Sequence, residues 1–219
     1  MKTPAHISSR RGFTLIELLV VITIIAVLAG LVISQAPKMM EDARKLEVRN
    51  AIISLKTGIS NYQVEYNRYP IDPALLASGG GDDAQPILTD QNSTIVDTLM
   101  GDAAQQPGAA SGSSGGSINL NPKGIEFVTF KVAKNGRNGL VGTQSPFSLL
   151  DMWGSPFYVL LDTNLDRKLE NPDVMNQDPK ISQSQVSPPP QFLPTDVAIY
   201  SIGKDLVQLT GDDVASWRE

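Results

Sequence analysis

The chain has no cysteine, and its one histidine is His6. No disulfide can staple it, so a folded domain must rest on a hydrophobic core or a bound metal. The lack of cysteine and near-lack of histidine also remove the common nucleophile–base pairs and zinc sets. No phosphate-binding glycine motif occurs. The glycine run Gly79-Gly80-Gly81 leads into Asp82 and Asp83, whose charge repels phosphate. Carboxylate pairs are present, but nothing singles one out, so the chain reads as a non-enzyme. Positive charge is scarce as well: 18 basic residues stand against 23 acidic ones, a net charge of −5. Without Lys2, Arg10 and Arg11 the balance is 15 against 23. Binding to nucleic acid depends on Lys and Arg neutralising phosphates, so it is not expected of so acidic a chain.

What the chain does have is one long apolar stretch. Phe13 to Ile33 contains no Lys or Arg, and at about 1.5 Å per residue it can cross a hydrocarbon core roughly 30 Å thick. Lys2, Arg10 and Arg11 precede it, which keeps the N-terminus cytoplasmic and sends the rest of the chain across the membrane. One carboxylate, Glu17, lies inside the stretch. An ionised acid there costs about 2.5–3.5 kcal/mol on insertion scales, so it calls for a partner. A cut between Gly12 and Phe13 would create one. The new Phe13 ammonium would sit one helical turn from Glu17, or beside the Glu17 of a neighbouring copy.

Arg10-Arg11-Gly12-Phe13-Thr14-Leu15-Ile16-Glu17 and the apolar run behind it resemble type IV prepilins and the pseudopilins of type II secretion systems. A secretory signal peptide cut after Val27-Leu28-Ala29, or a twin-arginine export signal at Arg10-Arg11, shares the basic start and apolar run. The carboxylate five residues after Gly12 sets this sequence apart from both. The resemblance implies a leader, residues 1–12, removed by a prepilin peptidase, and N-methylation of Phe13.

Pro37 follows the membrane segment, where it removes one backbone donor and would kink or loosen a helix. Beyond it Val48, Ile52, Leu55, Ile59, Tyr62 and Tyr66 recur at spacings of three and four, one apolar stripe of a helix. We therefore expect a nearly continuous helix from Phe13 to about Tyr66, with 13–36 as the transmembrane and assembly part and 37–70 as an amphipathic continuation. Gly58 inside it costs about 1 kcal/mol. Asn67 is suited to cap the end, and Pro70 disfavours helical geometry at Tyr69.

Residues 71–219 are expected to form an exported globular domain. A flexible insert near 78–117, rich in Gly, Ser and Gln, flanks the short apolar segment Ile95–Met100. Strands are expected at Ile125–Val132, in the segment from Asp151-Met152-Trp153-Gly154-Ser155-Pro156 to Leu161, and at Val197–Ile202. A proline-rich loop near 174–194 carries Pro188-Pro189-Pro190, a stiff extended run. The fold class is α+β, a long N-terminal helix packed on a small antiparallel sheet. Tyr66 to Pro70, Asp151 to Tyr158, and Tyr200-Ser201-Ile202-Gly203 with Asp212-Asp213 and Trp217 are similar to segments of the major pseudopilin.

Two acidic clusters are candidate cation sites. Asp162, Asn164, Asp166, Glu170 and Asp173 occupy the first, third, fifth, ninth and twelfth places of a twelve-residue stretch, the oxygen rhythm of a calcium loop. Arg167 stands sixth, where such loops turn on glycine, and Asp173 replaces the usual final Glu. An ordinary solvated loop accounts for the same residues. The second cluster is Asp205, Asp212 and Asp213. The pseudopilin resemblance implies Ca²⁺ there, with Asp205 set in a Lys204-Asp205 turn unlike the family's.

The resemblance implies a structural subunit of a type II secretion pseudopilus that assembles into a helical filament through its N-terminal helix, with Glu17 needed for assembly. The implied partners are copies of itself, minor pseudopilins, an inner-membrane assembly platform, the prepilin peptidase and the membrane. The implied location is the bacterial inner membrane in a single pass, with the C-terminal domain in the periplasm. A type IV pilin of an adhesion or DNA-uptake system shares the N-terminal segment. A membrane-anchored exported binding module that never polymerises would also fit the composition.

Overall fold

The structure is a computed structural model, and it describes residues 13–73, 83, 85–101, 120–142, 145–185 and 187–218. Most of the glycine- and serine-rich insert and all of residues 1–12, the expected leader, lie outside the described residues, Gly12 among them. The chain divides into two units, one ending at Ala43 and the other beginning at Arg44. Helix α1, Leu15–Tyr66, contributes to both and runs through Pro37.

In the first unit the described side chains from Phe13 to Met40 are exposed. This part of α1 is long and apolar enough to cross a membrane.

In the second unit α1 lays the expected stripe inward. Val48, Ile52, Leu55, Ile59 and Tyr62 are buried, and Tyr66 is half-buried. The helix ends as its sequence requires. Asn67 takes the left-handed conformation, φ 51°, and its N–H donates to the Gln63 carbonyl at 2.8 Å.

The helix stripe faces a sheet of four strands in the order β1-β4-β7-β8, antiparallel throughout: Ile87–Leu88, Tyr158–Leu161, Val197–Ser201 and Val214–Ala215. Val159 pairs with Ile199 and Leu161 with Val197, all in the cluster that contains the α1 stripe. Their alternates Leu160, Ala198 and Tyr200 belong to a second cluster with Leu169 and Leu193. Those two residues come from a two-stranded pair, β5 Leu169–Glu170 and β6 Phe192–Leu193. Both faces of the sheet are covered, so β4 and β7 read as continuous apolar runs instead of alternating with polar residues. A second two-stranded pair, β2 Gly139–Val141 with β3 Ser148–Leu150, completes the strands among the described residues. Helix α2, Ile95–Met100, buries Ile95, Val96 and Leu99, and a four-residue helix α3 spans Pro179–Ser182.

The segment Ile125–Val132 departs from the expected strand. It runs without a regular ladder, making one bridge at Val132 to Leu140. The Phe127 and Val128 N–H groups instead donate to the single carbonyl of Leu99. Its close contact is with the helix: a Cβ added to Gly58 would come within 2.2 Å of Val128 Cγ1. Gly58 is thus a point of close approach, and any side chain there would push Val128 away.

The turn into β4 is organised by Asp151, which is buried. Its Oδ1 accepts from the N–H groups of Trp153, Gly154 and Ser155 at 2.8–2.9 Å, and its Oδ2 from Ser201 Oγ at 2.6 Å. One carboxylate therefore folds the Trp-Gly turn and ties it to β7. Gly154 sits at φ 98°, open to glycine and strained for other residues.

Candidate functional site

The head of α1 is built by Thr14 and Glu17. Thr14 N–H and its Oγ1 hydroxyl both donate to Glu17 Oε2 at 2.8 Å, and Glu17 N–H returns toward Thr14 Oγ1 at 3.3 Å. This is a reciprocal cap of the S/T-x-x-E kind, which serves donors that the first turn of a helix leaves unpaired. One oxygen of the carboxylate that the apolar stretch carries therefore finds its donors in its own chain. Phe13, next to the cap, is 82 % exposed.

The first acidic stretch is only partly gathered. Asp162 is buried, with Oδ1 accepting from Asp166 N–H at 3.1 Å and Oδ2 from Arg167 N–H at 2.7 Å. Asn164 Oδ1 also accepts from Asp166 N–H, at 2.9 Å. Leu165 and Arg167, fourth and sixth in the stretch, both take left-handed φ, 62° and 63°. Arg167 adopts there the conformation that glycine supplies more cheaply. A residue not singled out from the sequence joins them: Asp83 Oδ1 accepts from Thr163 N–H at 3.1 Å. Burial pushes the Asp83 carboxyl up, and the nearby Asp162 and Asp166 charges add to that. Asp83 follows the glycine run, and no local spacing links it to a loop 80 residues on.

The last two residues of that stretch go elsewhere. Glu170 is an exposed residue of β5. Asp173 lies in a 3₁₀ turn, Pro172–Met175, and its carboxylate accepts from Trp217 Nε1 at 2.7 Å and from Arg218 Nε at 2.9–3.0 Å. Arg218 Nη2 closes the ion pair on the same carboxylate.

The C-terminal cluster shares one loop. Asp212 Oδ2 accepts from the N–H groups of Lys204 and Asp205 at 2.7 and 3.1 Å, and Asp205 Oδ1 takes Val207 N–H at 2.8 Å. Asp212 Oδ1 and Asp213 Oδ1 both lie within reach of the Thr210 hydroxyl, at 2.8 and 3.2 Å. A hydroxyl has one proton to donate, so it cannot satisfy both carboxylates at once. Burial raises the Asp213 carboxyl to about 6, against hydrogen bonds from Thr210 and the charge of Arg218. Burial also acts on Asp212, but the bonds from Thr210, Asp205 and Lys204 outweigh it and hold that carboxyl below the ordinary range. Leu206 and Leu209 in this loop have φ of 61° and 60°. Among the described residues no three or more acidic or histidine side chains converge as a metal set. Here two carboxylates adjoin. Carboxylate oxygens are among the hard donors that Ca²⁺ takes.

Comparison with known proteins bears on the first of these sites. Residues 7–33 match the prokaryotic N-terminal methylation motif. The N-terminal part of the chain is homologous to the type II secretion system core protein G of several bacteria. It is 41 % identical over 61 residues to that of Pectobacterium carotovorum subsp. carotovorum, covering 28 % of this chain and 39 % of the relative. The Klebsiella pneumoniae protein is 38 % identical over 61 residues (28 % and 44 %), and that of Escherichia coli K12 39 % identical over 61 residues (28 % and 42 %). The matches span about two-fifths of the length of these relatives. No solved structure matches the chain.

Proposed function

We propose that this chain is a structural subunit of a type II secretion pseudopilus, cut by a prepilin peptidase between Gly12 and Phe13 and assembled through its N-terminal helix. The observation that carries the reading is the coincidence of the methylation motif at residues 7–33 with an exposed apolar stretch at the head of α1, Phe13 to Ile33, whose lone carboxylate is Glu17. Homology to core protein G of type II secretion systems points to the pseudopilus among pilin-like filaments. On this reading residues 1–12 are a leader, 13–36 anchor and assemble the subunit in the inner membrane, and 71–219 form the periplasmic domain. Many copies packed head to tail make a contact that does not close, which gives a helical fibre. Minor pseudopilins, the assembly platform and the peptidase are its other partners, and the role is non-enzymatic.

Ca²⁺ belongs to the proposal. Asp212 and Asp213 would hold it, with Asp205 in the same loop, and bound Ca²⁺ would supply positive charge between two carboxylates that one hydroxyl cannot serve. The Asp162–Asp166 turn is the alternative position.

The mass of the mature protein from membranes tests the reading. We expect a chain beginning at Phe13 and carrying one methyl group on its amine. A mature chain beginning at Gly30 would overturn it in favour of an ordinary signal peptide.

A further inference from the structure

The side-chain arrangement outside the membrane helix points to a latch. We propose that the Asp173–Arg218 pair locks residues 203–218 to the 172–178 turn, so that these two segments open and close as one local unit while α1 and β4 stay folded.

Three sets of contacts carry the inference. Asp173 is 5 % exposed and receives Trp217 Nε1 together with Arg218 Nε and Nη2, so one buried carboxylate holds the last two described side chains. Arg218 Nη1 also donates to the Asp213 carbonyl at 3.1 Å, which ties the acidic loop to the same guanidinium. On the other side of Asp173, Gln177 N–H donates to the Leu209 carbonyl at 2.6 Å and Asn176 Nδ2 to the Thr210 carbonyl at 3.1 Å. The 172–178 turn thus grips the 203–218 segment at two places, with Arg218 as the clasp.

Val214 and Ala215 anchor the segment in the core, while residues 204–208 are exposed. Its strand β8 has two residues at the edge of the sheet, paired with Tyr200 and Ser201, and the next residue, Ser216, exchanges bonds with Ile199 at 2.8 and 3.1 Å. Leu206 and Leu209 sit in left-handed backbone conformations that cost each of them stability. A strained loop on a short edge strand opens at low free energy, so the contact that closes it sets its population. The side chains of Arg218 and Asp173 are 19 % and 7 % exposed, so salt screens them weakly, and losing one partner leaves the other buried and unpaired.

The test is amide hydrogen exchange on the full chain in detergent, comparing the unaltered protein with Arg218→Met and Asp173→Asn. Both variants should raise exchange over 203–218 and 172–178 at least about tenfold and leave α1 residues 48–62 and β4 unchanged. Arg218→Lys keeps the charge without the fork and should fall between. In a Trp153→Phe background Trp217 is the one tryptophan left, and acrylamide should quench it more in Arg218→Met. Three outcomes would overturn the proposal: exchange that rises evenly over the whole domain, exchange that does not change, or variants that both fail to fold. An even rise or failed folding would make the pair an ordinary part of the core.

Discussion

The Thr14 hydroxyl and the Glu17 carboxylate close a cap at the head of α1, with the hydroxyl and the Thr14 N–H both 2.8 Å from one carboxylate oxygen. Glu17 therefore has a partner in its own chain before a second copy arrives. That separates two requirements that the apolar stretch alone runs together. Insertion needs the carboxylate to have a partner, and Thr14 gives one to Oε2. Assembly, on the proposed function, needs it exchanged to the Phe13 ammonium of a neighbouring copy. We expect Glu17→Ala to insert as well as the unaltered chain, since it leaves the helix more apolar, and to yield no filaments. Membrane fractionation and electron microscopy of sheared filaments check the two halves. Normal assembly of Glu17→Ala would show that no neighbour depends on the carboxylate.

Gly58 gives a prediction for the domain. Its missing Cβ lets Val128 Cγ1 approach to where a Cβ would stand 2.2 Å away. Gly58→Ala should gain about 1 kcal/mol of helix propensity and lose about 1–3 kcal/mol to overpacking. The net expectation is a loss of up to about 2 kcal/mol and a melting temperature lower by up to roughly 8 °C for a domain of this size. Adding Val128→Ala should restore part of the loss relative to Val128→Ala alone. A Gly58→Ala protein that melts higher than the parent would mean that Val128 moves aside freely.

Tyr69 sets an alkaline limit. Burial raises its hydroxyl from 10 to about 12, and the Asp162 and Asp196 charges push the same way. Between pH 10 and 12 the unfolded chain has lost this proton and the folded chain keeps it, so stability falls as pH rises through that window. Below pH 10 the contribution is fully present. Tyr62 and Tyr200 are raised as well, chiefly by burial, so the loss is shared. Tyr69→Phe should make the melting temperature decline less steeply above pH 10, and an unchanged slope would assign the effect to the other two tyrosines.

The α1 stripe was legible because a period of three to four residues needs only local sequence. So were the cap residue Asn67 and strands β4 and β7, whose apolar runs stand out. What escaped depends on distant partners. Gly58 looked like a tolerated flaw until Val128, 70 residues on, came against it. Ile125–Val132 has strand-like composition, but its N–H groups meet a carbonyl of α2. Asp173 counts as the twelfth place of an acidic stretch, yet Trp217 and Arg218 claim its carboxylate, and no spacing rule announces a partner 44 residues away. Asp83 enters the same stretch from a glycine-rich segment for the same reason.

Calcium is the last expectation. Asp212 and Asp213 present two carboxylate oxygens to one Thr210 hydroxyl, and the domain has no disulfide to hold the loop. Burial raises the Asp213 carboxyl to about 6, and once it ionises beside Asp212 the two like charges call for a cation. At neutral pH, about one unit above that value, the proton is mostly gone and the cation matters most. Bound Ca²⁺ would add RT ln(1 + [L]/Kd) to stability, about 2.7 kcal/mol at a hundredfold excess over Kd. For a domain of this size that is a rise of roughly 5–10 °C in melting temperature. We expect the full chain in detergent to melt higher in calcium than in chelator at pH 7, and the difference to shrink toward pH 5 as Asp213 takes up its proton. Asp212→Ala or Asp213→Ala should erase it. If Asp162→Ala and Asp166→Ala erase it instead, the cation sits in the turn where Leu165 and Arg167 are left-handed, and the C-terminal assignment fails. A melting temperature that chelator does not move would exclude a stabilising calcium ion from both loops.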